Sequence, residues 1–120
     1  MKLYESAEDY LESILVLTQK NGTVRSIDVA KDLEFTKASV SVAIHKLEKA
    51  GYIAIKTNGE LVLTEEGYAI ASKVYERHCV LSEFFISIGV DEDQAKIDAC
   101  KVEHNISEET FNAIKKAMKK

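Results

Sequence analysis

The 120-residue chain has no proline and only five glycines, so its helices must be punctuated by capping side chains and by those glycines. It has no internal repeat, no low-complexity tract and no long apolar run. The longest aliphatic stretch, Ile14-Leu15-Val16-Leu17, falls far short of the ~20 residues that span a bilayer, and no membrane partner is expected. The opening residues, MKLYESAEDY, are acidic and amphipathic, without the apolar region of a signal peptide. A cytoplasmic location is therefore expected, where the two cysteines, Cys79 and Cys100, are reduced and free to act as ligands. The length allows one domain, or two small ones sharing a core.

Positive charge is also scarce overall, and the net charge of −4 argues at first against nucleic acid. The charges are unevenly placed, however. Residues 61–100 carry three basic against eight acidic side chains, a balance suited to a divalent cation. Residues 36–56 carry Lys37, Lys46, Lys49 and Lys56 against Glu48 alone. Binding to phosphates follows local potential and needs only one basic face.

Hydrophobic spacing sets out the elements. Ser6 is a cap for a helix over 7–20, with Ala7, Leu11, Ile14 and Leu15 as its apolar stripe and Asn21-Gly22 as its stop. A second helix is expected over 26–33, with Ile27, Ala30 and Leu33 inward. A third follows Thr36 as cap, with Val40, Ile44 and Leu47 at helical spacing and Gly51 at its end. A three-residue turn between two helices reads as a helix-turn-helix. "YIAIKTNGELVLT" then alternates around Asn58-Gly59, a strong hairpin signal. Thr64 caps a long helix closed by Gly89, Asp91 opens another through about His104, and Ser107 caps a last one. The expected fold is mainly α: a winged helix-turn-helix DNA-binding domain over 1–63, then a helical domain over 64–120.

The recognition helix, 37–50, presents Lys37, Ala38, Ser39, Ser41, His45, Lys46 and Lys49 outward. Its first residues, with Thr36 and Ser26 nearby, suit base edges, through hydroxyl and ammonium hydrogen bonds and an Ala38 methyl contact. Lys46, Lys49, the wing residue Lys56 and Arg25 suit phosphates. Double-stranded DNA is the expected partner.

Near the end, "DACKVEHNIS" places Cys100, Glu103 and His104 at i, i+3, i+4, on one side of a helix beside an apolar stripe of Ala95, Ala99, Val102 and Ile106. That trio could be a solvated boundary, a nucleophile with its base, or part of a metal site. An enzyme would need an oxyanion stabiliser and an oriented base, and no loop here builds a substrate pocket, so neither catalysis nor a small-molecule substrate is expected. Asp9 and Glu12 share the polar face of the first helix, and His78 lies within the long helix. The six donors together could serve one or two transition-metal ions. Cys79 points elsewhere and reads as a small buried packing residue.

These residues carry a resemblance. "AEDYLESILVL", the segment "SIDVAKDLEFTKASVSVAIHKLEKAGYI", "LVLTEEGYAIA", "YERHCVLSEFF", "IGVDED" and "CKVEHNIS" together resemble the metal-dependent repressors of the diphtheria toxin repressor and manganese transport regulator family. The resemblance implies a metal site of Asp9, Glu12, His78, Cys100, Glu103 and His104, and a homodimer whose two heads read a pseudo-palindromic operator. It implies a repressor of metal-uptake genes activated by Fe²⁺ or Mn²⁺, one or two ions per subunit, with Zn²⁺ or Co²⁺ able to bind in vitro. The ligand set is a hybrid: manganese-type members carry a carboxylate where Cys100 stands, and iron-type members carry methionine where Asp9 stands. Ser82 and Lys96 occupy places where iron-type members hold ancillary ligands, so no such ancillary site is expected. With Lys120 as its last residue, the sequence reads as a short form without the SH3-like domain of longer members.

Overall fold

The computed structural model describes residues 5–119, with the side chain of Glu5 excepted. The order is α1 (Glu5–Asn21), α2 (Ser26–Leu33), α3 (Lys37–Lys49), β1 (Ile53–Ile55), β2 (Leu61–Leu63), α4 (Glu65–Ser87), α5 (Glu92–Val102) and α6 (Glu108–Met118). The chain forms two compact units, residues 1–72 and 73–120, and the division falls within α4.

In the first unit, α1, α2 and α3 pack around Leu11, Ile14, Val24, Val29, Val40 and Ile44, each at most 1% exposed. Burying such a side chain stabilises by about 1.5–3 kcal/mol, so this cluster anchors the three helices. The Ser13 hydroxyl donates to Asp32 Oδ2 at 2.7 Å, and Tyr10 packs on Phe35 with ring centroids 5.7 Å apart. Thr36 caps α3 by accepting from the amide of Ser39 at 3.1 Å. Two expectations change. Ser6 lies inside α1 rather than capping it. Ile27 is 41% exposed, and Val29 faces inward instead. The two are apolar and about 200° apart on an ideal helix, so only one of them can point at the core.

The helix-turn-helix turn begins with Glu34, which adopts a left-handed conformation (φ 59°, ψ 40°) and returns its amide to the carbonyl of Ala30. Glycine is the usual residue there, because a Cβ in that region costs about 1–2 kcal/mol. The hairpin pairs Ile53 with Leu63, Ala54 with Val62 and Ile55 with Leu61. Its tip is not a two-residue turn on Asn58-Gly59. Lys56 pairs with Glu60, and Gly59 alone takes positive φ (90°) and donates back to Lys56 O. This is the three-residue loop with a glycine bulge, which needs only one left-handed residue.

The base of the wing is tightly closed. Thr64 Oγ1 donates to Gly51 O at 2.7 Å and accepts from the amide of Gly67 at 3.2 Å, capping α4. A Cβ at Gly67 would lie 1.9 Å from Tyr52 O, so only glycine allows α4 this close to the strand.

In the second unit, Asp91 caps α5 through the Asp93 amide at 3.2 Å, and Ser107 caps α6 through the Thr110 amide at 3.1 Å. Leu81, Ala95 and Ala99 are fully buried and Phe111 nearly so. Ion pairs join α4 to α6, Lys115 to Glu76 at 2.6 Å and Lys73 to Glu108 at 2.8 Å. α5 stops at Val102, so Glu103 is its C-cap and His104 lies in the turn beyond, not within a continuing helix. Cys79 is half-buried rather than buried.

Candidate functional site

α4 and the end of α5 bring three of the candidate ligands together. His78 Nδ1 lies 3.6 Å from Cys100 Sγ and 3.5 Å from Glu103 Oε2, and these donors sit within 4.8 Å of one another. The His104 ring, its side chain 2% exposed, places Nε2 3.6 Å from Glu103 Oε1. Glu103 is the centre of this group. It is 1% exposed, although the helical spacing had set it beside the core rather than in it.

The sequence put Val102 on the apolar stripe, but Val102 is only half-buried while Glu103 is enclosed. A lone buried carboxylate is costly unless hydrogen-bonded or paired. The imidazole nitrogens approach Glu103 at ion-pair distances too long for hydrogen bonds, and neither carboxylate oxygen has a hydrogen-bond partner among the described residues. The ion pairing is electrostatic, and its effect falls on His78. The pKa of His78 is pushed up to about 10, first by the Cys100 sulfur and next by the Glu103 carboxylate, against the opposing effect of burial.

One ring nitrogen carries one proton, and it cannot satisfy a sulfur and a carboxylate at once. Donors that share a metal at ~2.0–2.3 Å stand roughly 3–3.7 Å apart, the spacing seen here. Thiolate, imidazole and carboxylate around an orphaned buried oxygen fit a divalent transition-metal ion. The imidazole grouped with Cys100 is that of His78, at 3.6 Å, whereas the nucleophile–base reading had paired Cys100 with His104.

Asp9 and Glu12 lie one turn apart on α1 in the first unit, both half-buried. Sequence reasoning overlooked Arg77, whose guanidinium holds the turn that carries Glu103 and His104. Its only signal was a position next to His78 in a helix.

The candidate DNA face is in the first unit. Thr36, Lys37, Ala38, Ser39, Ser41, His45, Lys46 and Lys49 are all exposed along α3 or at its start. His45 Nδ1 is 3.9 Å from Glu48 Oε1. Val42, 57% exposed between them, is an apolar group that the stripe of Val40, Ile44 and Leu47 did not single out. Lys56, exposed at the wing, pairs loosely with Glu60 at 3.6 Å. Ser26 is half-buried. Arg25 is exposed but occupied: its Nη1 donates to Asn58 O, tying the start of α2 to the wing tip.

A three-helix head with a two-stranded wing and an exposed recognition helix defines a winged helix-turn-helix DNA-binding unit. Comparison with known proteins agrees. Residues 2–61 match the model of the iron dependent repressor N-terminal DNA binding domain. Residues 64–120 match that of the iron dependent repressor metal binding and dimerisation domain. The chain belongs to the iron-dependent repressor family of metal-dependent transcriptional repressors.

It is 37% identical to the HTH-type transcriptional regulator MntR of Shouchella clausii, over 91% of this chain and 76% of that protein. It is 33% identical to an uncharacterized HTH-type transcriptional regulator of Methanocaldococcus jannaschii, over 97% and 94%. Among solved structures it matches T. acidophilum IdeR with a TM-score of 0.83 at 24% identity, over 100% of this chain and 56% of that one. A manganese-dependent transcriptional repressor in complex with manganese gives a TM-score of 0.82 at 25% identity, over 90% and 50%. The chain thus spans about half the length of those two solved proteins. Among the described residues, no helix is long and apolar enough to cross a membrane.

Proposed function

We propose that this chain is a cytoplasmic, homodimeric repressor of metal-uptake genes that grips its operator when it holds Fe²⁺ or Mn²⁺. Residues 1–63 read the DNA, and residues 64–120 bind metal and dimerise. The observation that carries this reading is Glu103: a buried carboxylate without a hydrogen bond, facing His78, His104 and the neighbourhood of Cys100.

The ligands are Asp9 and Glu12 on the first helix, with His78, Cys100, Glu103 and His104. A bound divalent ion supplies the positive charge that offsets three carboxylates and restrains α1 with respect to the metal-binding helices. Without that charge Asp9, Glu12 and Glu103 disfavour any arrangement that gathers them, and the recognition helices have no fixed separation. With it, Thr36, Lys37, Ala38, Ser39 and Ser41 meet base edges in two half-sites of a pseudo-palindrome, ~34 Å apart. His45 and Ser26 border that surface, and Lys46, Lys49, Lys56 and Arg25 hold phosphates. Allosteric coupling of this kind is typically ~1–3 kcal/mol, enough for a five- to hundred-fold change in operator affinity.

The carboxylates and imidazoles accept either Fe²⁺ or Mn²⁺, and the Cys100 thiolate tips the balance towards iron. One or two ions per subunit would satisfy six ligands, and Zn²⁺ or Co²⁺ would bind in vitro. An anaerobic titration of reduced protein with Fe²⁺ and Mn²⁺, counting ions per subunit and repeated with operator DNA, tests this. Saturation that is weakened by Cys100→Ala and tightens DNA binding supports it. No uptake of either ion at micromolar concentration leaves a winged-helix regulator that needs no metal.

A further inference from the structure

Arg77 and His78 are consecutive on α4, yet both address the same residue of the turn after α5. His78 Nδ1 faces the Glu103 carboxylate at 3.5 Å, while Arg77 Nη1 donates to the Glu103 main-chain carbonyl at 3.1 Å. The same Nη1 donates to Ile106 O at 3.0 Å, so one nitrogen spans both ends of the turn 103–106. The Glu103 carbonyl stands at the C-cap of α5, where a cation is favoured, and Ile106 directly precedes the cap of α6. The guanidinium carbon lies 5.3 Å from the centroid of Phe111 on α6, a ring that is 5% exposed. Arg77 Nε is buried without a hydrogen-bond partner among the described residues, so the grip comes from the two carbonyls and the ring face.

From this arrangement we infer that Arg77 is the positioning residue of the metal centre. It fixes the main chain of Glu103 so that the carboxylate stays aimed at His78, with the Phe111 ring face supporting its guanidinium. The inference rests on the proposed metal site. Arg77 itself contributes no ligand, because a guanidinium offers only hydrogen-bond donors. An uncharged, flexible side chain there leaves the turn 103–106 unanchored: Glu103 moves while His78 and Cys100, held by their own helices, stay.

The experiment compares wild type, Arg77→Met, Arg77→Lys and Lys115→Met, each checked for folding by circular dichroism and titrated with Co²⁺ under anaerobic conditions. Lys115→Met removes the pairing of α6 with Glu76 without touching the turn. Arg77→Met should keep the thiolate-to-Co²⁺ absorption band at saturation but need about 10- to 100-fold more metal to reach it, the usual effect of losing a residue that orients a ligand. Arg77→Lys, which keeps the charge and a donor, should recover part of that loss, and Lys115→Met should match wild type. In the metal-free protein, Arg77→Met should speed hydrogen exchange of the amides at 103–106. Wild-type affinity in Arg77→Met, or an equal loss in Lys115→Met, overturns the inference while leaving the metal site intact. Absence of Co²⁺ binding by wild type overturns the metal site and this inference with it. If Arg77→Met does not fold, Arg77→Lys with wild-type affinity and wild-type exchange at 103–106 overturns the inference in its place.

Discussion

Raising the pH should weaken the metal-free protein and strengthen its hold on metal, and both effects trace to His78. Beside Cys100 and Glu103, His78 titrates at about 10 in the folded chain, against about 6.5 when unfolded. A group whose folded pKa is raised contributes its full stability below the unfolded pKa. That contribution is lost as the pH rises through the folded pKa. At about 1.4 kcal/mol per unit, the loss between pH 7 and 9 is on the order of 2–3 kcal/mol. In a chain of this size that lowers Tm by roughly 5–12 °C. Thermal unfolding in chelator at pH 7, 8 and 9 should show the fall in wild type, and a much flatter profile in His78→Gln. Groups that do not touch His78 cancel in the comparison. Metal binding runs the other way, because His78 must lose its proton before it can ligate. Apparent affinity should rise about tenfold per pH unit, with about one proton released per ion from this residue. Calorimetry in two buffers of different ionisation heat counts that proton. Parallel stability profiles for wild type and His78→Gln, or metal binding with no proton released, would refute the assignment of His78 as a protonated ligand-in-waiting.

Glu34→Gly relieves a left-handed glutamate and should raise stability by about 1 kcal/mol in chemical denaturation. Gly67→Ala drives a methyl group into Tyr52 O and should cost about 3 kcal/mol in the same assay, since the neighbour is backbone. Replacing Lys46 and Lys49 with alanine should weaken binding to any DNA sequence and lower the slope of log affinity against log salt by about 0.9 for every phosphate no longer neutralised. Cys100→Asp replaces the soft ligand with a hard one and should shift relative affinity from Fe²⁺ towards Mn²⁺ by about tenfold, read in competition titrations.

Most of the fold was legible because the helices announce their own ends. Thr36, Thr64, Asp91 and Ser107 each cap the helix that spacing assigned to them, and Ser26–Leu33 is bounded by the residues expected. What failed was finer. A left-handed glutamate at position 34 carries no sequence mark, because glycine is the residue that marks such a turn. Asn58-Gly59 is compatible with two loop geometries, and the pairing of Lys56 with Glu60 decides between them. At the site, the donor types in "CKVEHNIS" were visible, but helical spacing assumed a helix that continues to His104. Glu103 itself keeps helical dihedrals and lies four residues after the buried Ala99, so it shares the inward face that the spacing had given to Val102. Arg77 went unseen because an arginine in a helix looks the same whether it is solvated or clamps a distant turn.

The unsatisfied carboxylate of Glu103 also bears on how long the protein survives. A buried carboxylate lacking hydrogen bonds costs desolvation free energy, which the ion pair with His78 offsets only while that imidazole is charged. Whatever satisfies that carboxylate stabilises the folded chain by mass action, by about 2.7 kcal/mol at a hundredfold excess over Kd. A metal-starved cell would then hold a sensor that proteases cut sooner, and a metal-replete cell one that persists. Ligand supply would set the amount of regulator as well as its activity, through the same buried side chain.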